Sequence, residues 1–171
     1  MQVVSEKLVT ETKIKQIVIP SSLTSIGNYA FKECSSLIQI TIPSSVTSIG
    51  NCAFGRCSSL YTFKIIPITE NLIENYNNQF LLYKSNPNSE IYDTLVRAKP
   101  TINKTTISPS VTSIGDYVFS YCSSLTLITF KFPFSVISIG ENSFNRCLSL
   151  RPDLIQLINN IKANKNNNNR E

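Results

Sequence analysis

Residues 19–37 read IPSSLTSIGNYAFKECSSL and residues 42–60 read IPSSVTSIGNCAFGRCSSL, so only four of the nineteen positions differ. Residues 107–125 (ISPSVTSIGDYVFSYCSSL) and residues 132–150 (FPFSVISIGENSFNRCLSL) carry the same block with the same internal spacing. Similarity at a fixed spacing is the signature of a repeat architecture, in which each copy forms one structural unit that stacks on the next. The four copies therefore predict a solenoid.

The spacing of one glycine in each block gives the length of a coil. Gly27 and Gly50 are 23 residues apart, a single-coil period that is shorter than the roughly 33 or more residues of helical repeats. Gly115 and Gly140 are 25 residues apart, and the extra length around residues 131–134 predicts a bulge at a strand end. We therefore expect one coil for each block.

The middle of the chain departs from this period. Gly50 and Gly115 are 65 residues apart, and the intervening residues 66–101 lack the repeated block. Strand-like runs at residues 80–83 and 94–97 flank the turn-rich stretch SNPNS, so an irregular coil with an inserted hairpin is predicted there. The predicted organisation is a partial coil or extension at 1–13, a solenoid at 14–152 with regular repeats at about 14–37, 38–60, 102–125 and 126–150, a capping helix at 153–163 and a disordered Asn-rich tail at 164–171.

The run LIQITI at residues 37–42 shows how a strand fits into each coil. Leu37, Ile40 and Ile42 are expected to point inward, which leaves the residues between them on the outside. The same register recurs in the other coils, so these strands are expected to lie side by side as one parallel sheet. The corresponding inward residues are Ile14, Ile17 and Ile19; Leu60, Phe63 and Ile65; Ile102, Thr105 and Ile107; and Leu125, Ile128 and Phe130.

The other repeated positions predict how the opposite side of each coil packs. A glycine at the same place in each block indicates either positive φ or tight contact between coils. Asn28, Asn51 and Asp116 follow three of these glycines as caps of a predicted short helical turn, which directs a phenylalanine into a stacked column. A cysteine three residues later is expected to form a column of small buried thiols, with a disulfide or metal site as the alternative. The structural repeat positions are Gly27, Phe31, Cys34, Gly50, Phe54, Cys57, Gly115, Phe119, Cys122, Gly140, Phe144 and Cys147.

Composition limits the chemistry that the chain can perform. The sequence has no His, which removes the commonest general base and metal ligand, so no catalytic residue, metal or cofactor is predicted and an enzyme is not expected. The net charge of +5 comes from scattered residues and forms no stripe that would follow nucleic-acid phosphates. The sequence lacks the apolar run of a secretory signal or of a membrane-spanning helix, so a cytoplasmic location is expected.

The block I-P-S-S-V-T-S-I-G-N-x-A-F-x-x-C-S-S-L resembles the repeat of the BspA-like leucine-rich-repeat proteins over about residues 14–150. The resemblance implies a β-rich repeat solenoid, with a right-handed coil, short helical turns on the convex side and a C-terminal capping helix. It also implies protein binding, since members of the family act in adhesion and as surface antigens. The cell surface or the extracellular space is therefore the alternative location.

Recognition is expected on the outward residues of the parallel sheet, because the consensus positions are used for packing. Tyr61 is the best candidate for an anchor, because a rigid amphipathic ring gives a large contact area at low entropic cost. The alternative is that the outward residues are only β-formers on a solvated sheet. The ligand-contact candidates are Lys15, Gln39, Thr41, Tyr61, Lys64, Lys104, Thr106, Thr126 and Thr129.

The predicted partner is a protein whose identity the repeat does not specify. Two other roles compete with surface recognition. One is a purely architectural role in a longer repeat array, with self-association through the ends of the solenoid. The other is an intracellular scaffold without an adhesive role. Neither nucleic acid nor a membrane is expected as a partner.

Overall fold

The computed structural model describes residues 3–4, 13–66, 73–74, 79–84, 86, 88–131 and 135–168. Of the residues predicted to bulge, 131–134, only Lys131 is among them, so that prediction lies outside the described residues. The elements are short strands followed by one helix. They are β1 (Val3–Val4), β2 (Gln16–Val18), β3 (Ser25–Ile26), β4 (Gln39–Pro43), β5 (Ser48–Ile49), β6 (Thr62–Ile66), β7 (Ile73–Glu74), β8 (Phe80–Tyr83), β9 (Thr94–Ala98), β10 (Lys104–Ile107), β11 (Ser113–Ile114), β12 (Leu127–Phe130), β13 (Ser138–Ile139) and α1 (Pro152–Asn168).

The strands that carry the outward candidates form two front sheets within the described ranges. Strands β2, β4 and β6 form the first front sheet, and β10 and β12 form the second front sheet, all in parallel. The prediction of one continuous sheet is therefore wrong. The reason is that the described strands between β6 and β10 pair in a different sheet, so they do not continue the front of the solenoid.

The second strand of each regular coil is only two residues long and lies at the back. Strands β1, β3 and β5 form one parallel back sheet, in which β1 takes the place of the back strand of a preceding coil. The other back sheet has the order β13-β11-β9-β8-β7. Here β9 is parallel to β11 and continues the solenoid, whereas β8 is antiparallel to both β7 and β9. The irregular segment thus replaces a regular coil with a hairpin in the back sheet.

The inward register predicted for the front strands is confirmed by burial. Side chains on one face of each strand are removed from solvent, as expected for the period of two in a β-strand. The buried inward residues are Ile19, Leu37, Ile40, Ile42, Leu60, Phe63, Ile102, Thr105, Ile107, Leu125 and Ile128, and the half-buried ones are Ile14, Ile17, Ile65 and Phe130.

The buried residues form two clusters that meet at β8. Leu81 belongs to the cluster of the first block, which we define as residues 13–66. Phe80 and Leu82 belong to the cluster of the second block, residues 102–131 and 135–151. Because successive side chains of a strand point to opposite faces, β8 separates the two cores. We call residues 79–84 and 88–101, which contain β8 and β9, the junction.

Two phenylalanine pairs stack within the blocks, as the repeat predicted. The rings of Phe31 and Phe54 in the first block have centroids 5.6 Å apart and an interplanar angle of 4°. In the second block Phe119 and Phe144 are 4.9 Å apart at 10°. Across the junction the column changes, because Phe80 meets Phe119 edge to face at 82°.

Backbone hydrogen bonds join the turns of successive coils at equivalent residues. The N–H groups of Tyr29, Phe31 and Glu33 donate to carbonyl oxygens of the next coil at 3.0, 2.8 and 2.7 Å, and the second block repeats this pattern. The segment that follows the repeated glycine in each coil consists of successive hydrogen-bonded turns. Two residues of each such segment adopt the left-handed backbone conformation. These residues are Tyr29, Glu33, Cys52, Arg56, Tyr117, Tyr121, Asn142 and Arg146, with φ between 51° and 65°.

The repeated glycine serves close contact between coils and not positive φ. No glycine in the described ranges has positive φ. A Cβ added at Gly50 would overlap the backbone of Asn28 in the preceding coil, and one at Gly140 would overlap Asp116 in the same way. Of the two explanations predicted for this glycine, the conformational one is wrong and the contact one is correct.

The polar residue after the glycine also binds the neighbouring coil. Asn28 Oδ1 accepts a hydrogen bond from the N–H of Asn51 at 2.8 Å, and Asp116 Oδ1 accepts one from the N–H of Glu141 at 2.7 Å. These side chains were predicted to cap a turn in their own coil, which differs from the observed contact. Their oxygens satisfy a donor in the next coil, so they add to the stacking of the solenoid.

Helix α1 covers the C-terminal end of the second core. It begins at Pro152 and extends through Asn168, so residues 164–168, predicted to lie in a disordered tail, are helical. Ile158 and Ile161 are buried in the core, since their spacing places them on one helical stripe. The neighbouring Ile155 and Leu157 remain 44% and 38% exposed, so the buried stripe of α1 is narrow.

Candidate binding surfaces

The first front sheet brings five of the predicted contact residues together. Its outward residues form rows across the three strands, because equivalent residues of adjacent parallel strands are in register. Backbone bonds extend the surface beyond the strand ends, since Tyr61 N–H donates to Ile38 O and Ile38 N–H donates to Lys15 O. The rows are Gln16, Gln39 and Thr62; Val18, Thr41 and Lys64; and Lys15, Ile38 and Tyr61.

This surface is more apolar than the candidate list suggests. Tyr61 and Ile38 are 38% and 37% exposed, and Val18 and Ile66 are 71% and 54% exposed. The outward position of Ile66 was missed, although the alternation from Thr62 through Lys64 extends to it and could have revealed it. Exposed apolar side chains beside polar ones are typical of an interface core with a polar rim.

The remaining four candidates lie on the second front sheet and are separate from the first group. Lys104 pairs in register with Leu127, and Thr106 pairs with Thr129. Thr126 has a structural role, because its hydroxyl lies 3.0 Å from Asn103 Oδ1 and 3.2 Å from Asn103 O of the preceding coil. The other three candidates, Lys104, Thr106 and Thr129, line a cavity.

We call this cavity the polar cleft, and it has a volume of about 480 Å³. Its wall on the junction side is fixed by Gln79, whose Oε1 accepts a hydrogen bond from the buried Thr105 hydroxyl at 3.1 Å. Two lysines contribute the charged groups. The lining residues are Gln79, Lys104, Thr105, Thr106, Ser108, Pro109, Leu127, Thr129 and Lys131.

A second cavity, which we call the apolar pocket, adjoins the polar cleft. It has a volume of about 240 Å³, and Thr106 and Ser108 line both cavities. Its walls come from the junction and from the end of β10. Sequence reasoning missed this pocket, because it exists only where the hairpin meets the second block. The lining residues are Phe80, Leu82, Glu90, Ile91, Tyr92, Leu95, Thr106, Ile107, Ser108, Ser110 and Val111.

Arg97 joins the two blocks at the junction. Its side chain is 1% exposed, and Nη1 donates to Tyr117 O at 2.9 Å and to Ser120 Oγ at 3.0 Å. On the other side, Nη2 donates to Cys57 O in the first block at 2.8 Å. The guanidinium thus joins the coils together with the backbone N–H of Ala98, which donates to Val118 O at 2.9 Å. Because side chains alternate between the two faces of a strand, Arg97 lies on the same face as the buried Leu95. This alternation could have revealed from the sequence that Arg97 is buried.

The environment of Arg97 is unusual for a cation. Burial lowers the pKa of its guanidinium from the ordinary value, because a low-dielectric interior disfavours the charged form. Within the described ranges no carboxylate forms an ion pair with it, and its Nε has no hydrogen-bond partner. Arginine keeps its proton in proteins, so the carbonyl dipoles around it stabilise the charge.

The repeated cysteines form no disulfide among the described residues, and two of them donate to backbone carbonyls of the preceding coil. Cys57 Sγ lies 2.9 Å from Phe31 O, and Cys147 Sγ lies 3.0 Å from Phe119 O. Burial raises the pKa of Cys122 to about 12, although the nearby Arg97 opposes this effect. In the described ranges, His, Cys, Asp and Glu side chains form no group of three or more that could hold a metal ion.

Known proteins resemble this chain in both sequence and fold. A family model described as "BspA type Leucine rich repeat region" matches residues 2–97 and 89–168, in six copies. A solved structure of a leucine-rich repeat protein from Eubacterium ventriosum is 25% identical, with a TM-score of 0.55, over 78% of this chain and 40% of that chain. The pneumococcal vaccine antigen PcpA is 20% identical, with a TM-score of 0.59, over 81% of this chain and 38% of that chain.

The coverage values also show what share of each relative corresponds to this chain. The chain spans about 40% of the length of these two solved relatives, so it corresponds to part of each. No curated protein sequence matches the chain significantly. In the described part of the chain, no helix has the length and apolar character needed to cross a bilayer.

Proposed function

The chain belongs to the BspA-type leucine-rich repeat family, and on that basis we propose that it is a non-catalytic scaffold that binds a protein partner on the first front sheet. Proteins of this repeat family are generally interaction or adhesion scaffolds. The consensus residues of the repeat are used for packing, and the residues that vary between coils face solvent on the front sheets. Recognition therefore depends on those varying residues.

The observation that carries this proposal is the mixed apolar and polar surface of the first front sheet. Ile38 and Tyr61 are adjacent on it, and Lys64 follows three residues after Tyr61, in register with Thr41. The three strands that hold these side chains are fixed by the buried core beneath them, so little backbone entropy is lost when a partner binds. Such a rigid surface favours a protein partner, because a protein that spans the three strands contacts the apolar and the polar side chains together.

Tyr61 is the proposed anchor of the interface. Its ring is 38% exposed, so it already packs partly against the sheet and has few conformations to lose on binding. Aromatic residues are enriched among the few interface positions that dominate binding energy. Lys64 supplies a cation for the rim of the interface, where charge affects the association rate more than affinity.

Display on a cell surface is the location that best supports an adhesive role. The relative PcpA is a pneumococcal vaccine antigen, which is consistent with exposure to the surroundings of the cell. The competing proposal is an architectural role, in which solenoid ends associate with further copies. It is favoured by the exposed Leu148, Ile155 and Leu157 at the C-terminal end, which are 80%, 44% and 38% exposed.

A pull-down with matched variants tests the proposed function. The bait is the full chain, presented separately to a cytosolic extract and to extracellular-matrix proteins. The test variant is Tyr61→Ala with Lys64→Ala, and the control is Tyr29→Ala with Lys32→Ala, a tyrosine and lysine on the turn side of the solenoid whose ring and ammonium are 5.1 Å apart. Circular dichroism verifies that both variants are folded.

The expected result is capture of a specific protein by the wild type and the control and its loss with the test variant. The extract that supplies the partner identifies the compartment. Equal capture by all three proteins would contradict recognition by the first front sheet. Concentration-dependent self-association, measured by analytical ultracentrifugation and abolished by Ile155→Ser, would favour the architectural role instead.

A further inference from the structure

The polar cleft and the apolar pocket meet at the end of β10, where the second block borders the junction. Thr106 and Ser108 line both cavities, so a ligand that lies across these two residues reaches into each. The cleft has a volume within the range of about 300–1,000 Å³ that is typical of ligand sites. The two cavities differ in chemistry, and that difference specifies the ligand.

The polar cleft is suited to an anion. Lys104 and Lys131 are its charged groups, and the hydroxyls of Thr106 and Thr129 provide hydrogen-bond donors beside them. No carboxylate is among the described residues that line the cleft. The ion pairs found in the described ranges are Arg56 with Glu33 and Arg151 with Asp153, so neither lysine of the cleft is neutralised in this way.

The apolar pocket is suited to a hydrophobic side chain. Most of its wall is aliphatic or aromatic, and its volume of about 240 Å³ exceeds the roughly 150 Å³ of an apolar cavity that holds benzene. Phe80, Leu82 and Leu95 are buried in its wall and belong to the core, so the wall is rigid. Ile91, at 52% exposure, lies where the pocket opens.

From this arrangement we propose that the two cavities form one bipartite site for an acidic peptide segment of a partner protein. An apolar side chain of the segment enters the apolar pocket, and a neighbouring carboxylate lies in the polar cleft between the two lysines. This inference rests on the proposed function, because it assigns a chemistry to a protein partner. It concerns a second surface, formed by the junction and the second block, that contains none of the residues of the first front sheet.

Glu90 determines how an acidic peptide is oriented in the proposed site. It is exposed on the wall of the apolar pocket. Among the described residues that line the two cavities, it is the one with a carboxylate. An acidic group at that wall is repelled, whereas the same group in the polar cleft is attracted. Removing the charge of Glu90 therefore strengthens binding of an acidic peptide, and removing the lysine charges weakens it.

Fluorescence anisotropy with a labelled synthetic peptide tests the site. The probe is fluorescein-GSLDDSG, which has one leucine beside two aspartates, and its counterparts are GSADDSG and GSLNNSG. The full chain is titrated at low salt, because exposed charge interactions are screened within about 10 Å at 0.1 M ionic strength. Saturable binding of the leucine–aspartate probe, weakened in both counterparts, is expected.

Variants of the protein locate the peptide-binding site. Lys104→Ala with Lys131→Ala is expected to weaken binding about fivefold or more, the effect of losing two exposed charge interactions. Ile91→Ala is expected to weaken it severalfold, and Glu90→Gln to strengthen it. The matched control is Lys15→Ala with Lys64→Ala, which removes the same charge from the first front sheet and is expected to change the affinity less than twofold.

Three outcomes overturn the proposal: absence of saturable binding, equal weakening in both double-lysine variants, and indifference to the leucine of the probe. The test is independent of the pull-down. If the partner is captured through Tyr61 and the peptide does not bind, only the bipartite site fails. If the peptide binds as expected and Tyr61 is dispensable for capture, only the role of the first front sheet fails.

Discussion

The regular blocks and the junction join their coils in different ways. Within the blocks the same contacts recur between successive coils, as in the stacked rings of Phe31 and Phe54 or the bond from Asn51 N–H to Asn28 Oδ1. At the junction the repeat is interrupted, the ring contact turns to edge-to-face, and a buried guanidinium adds hydrogen bonds to carbonyl oxygens of both blocks. Within the blocks, one set of packing contacts therefore serves every coil. Where the repeat is interrupted, residues that occur only once make the contacts, and cavities remain beside them.

The largest expected effect follows from Arg97, on which the junction depends. Arg97→Ala leaves carbonyl oxygens of both blocks without donors and opens a cavity in the interior. Unpaired buried acceptors cost about 1–3 kcal/mol each, and large-to-small substitutions in a core cost a similar amount or more. We expect the free energy of unfolding to fall by about 3–5 kcal/mol. Urea denaturation monitored by circular dichroism measures it.

Two further substitutions make this test specific. Arg97→Lys retains the charge but loses the planar fork that reaches both blocks, so its loss of stability should lie between those of the wild type and Arg97→Ala. Arg151→Ala removes an exposed arginine, 60% exposed, and should cost no more than about 1 kcal/mol. An Arg97→Ala protein as stable as Arg151→Ala would show that the junction does not depend on this side chain.

A smaller effect distinguishes glycines at the two kinds of contact. In Gly140→Ala the new methyl group would lie 2.6 Å from Gly115 C, within a regular stack. In Gly115→Ala it would lie 3.0 Å from Leu95 O, at the junction, where a small shift relieves the contact. We expect the first substitution to cost about 1–3 kcal/mol and the second less than about 1 kcal/mol. Thermal unfolding of both variants measures the difference, and the reverse order would contradict this account of stacking.

A pH-dependent effect follows from the buried thiol of Cys122. Its folded-state pKa of about 12 is raised by burial, so the thiol stays protonated in the folded state at a pH where it ionises in the unfolded state. This contribution to stability is complete below pH about 9 and is lost as the pH rises toward about 12, at up to about 1.4 kcal/mol per pH unit. In Cys122→Ala, urea midpoints at pH 8 and pH 10 should differ less than in the wild type. Equal pH dependence in both proteins would exclude this explanation.

Sequence reasoning succeeded where the repeat constrains each residue. The inward register of Leu37, Ile40 and Ile42 follows from apolar spacing alone, and the stacked phenylalanines follow from their fixed place in the block. The spacing of Gly50 from Gly115 also indicated where the solenoid becomes irregular. Each of these features is local or is repeated, so one chain contains several independent copies of the same information.

Features that arise once in the fold were not predictable in this way. The division of the front surface into two sheets depends on the pairing of β8 with β9 at the back, which is a long-range choice. The polar cleft exists because Gln79 of the junction meets Thr105 of the second block. The extent of α1 was also not predicted, because the helix continues through Asn168, beyond the capping helix expected at 153–163.

The central claim is that recognition uses the outward residues of the first front sheet, whereas the turn side is structural. It is tested most directly by the affinity of the captured partner for Tyr61→Ala and Tyr29→Ala, measured by titration calorimetry. The two tyrosines have similar exposure, 38% and 42%, on opposite sides of the coil. The account predicts at least about a tenfold loss of affinity for Tyr61→Ala, as expected for an interface anchor, and an unchanged affinity for Tyr29→Ala. A loss confined to Tyr29→Ala, or equal losses in both variants, would contradict it.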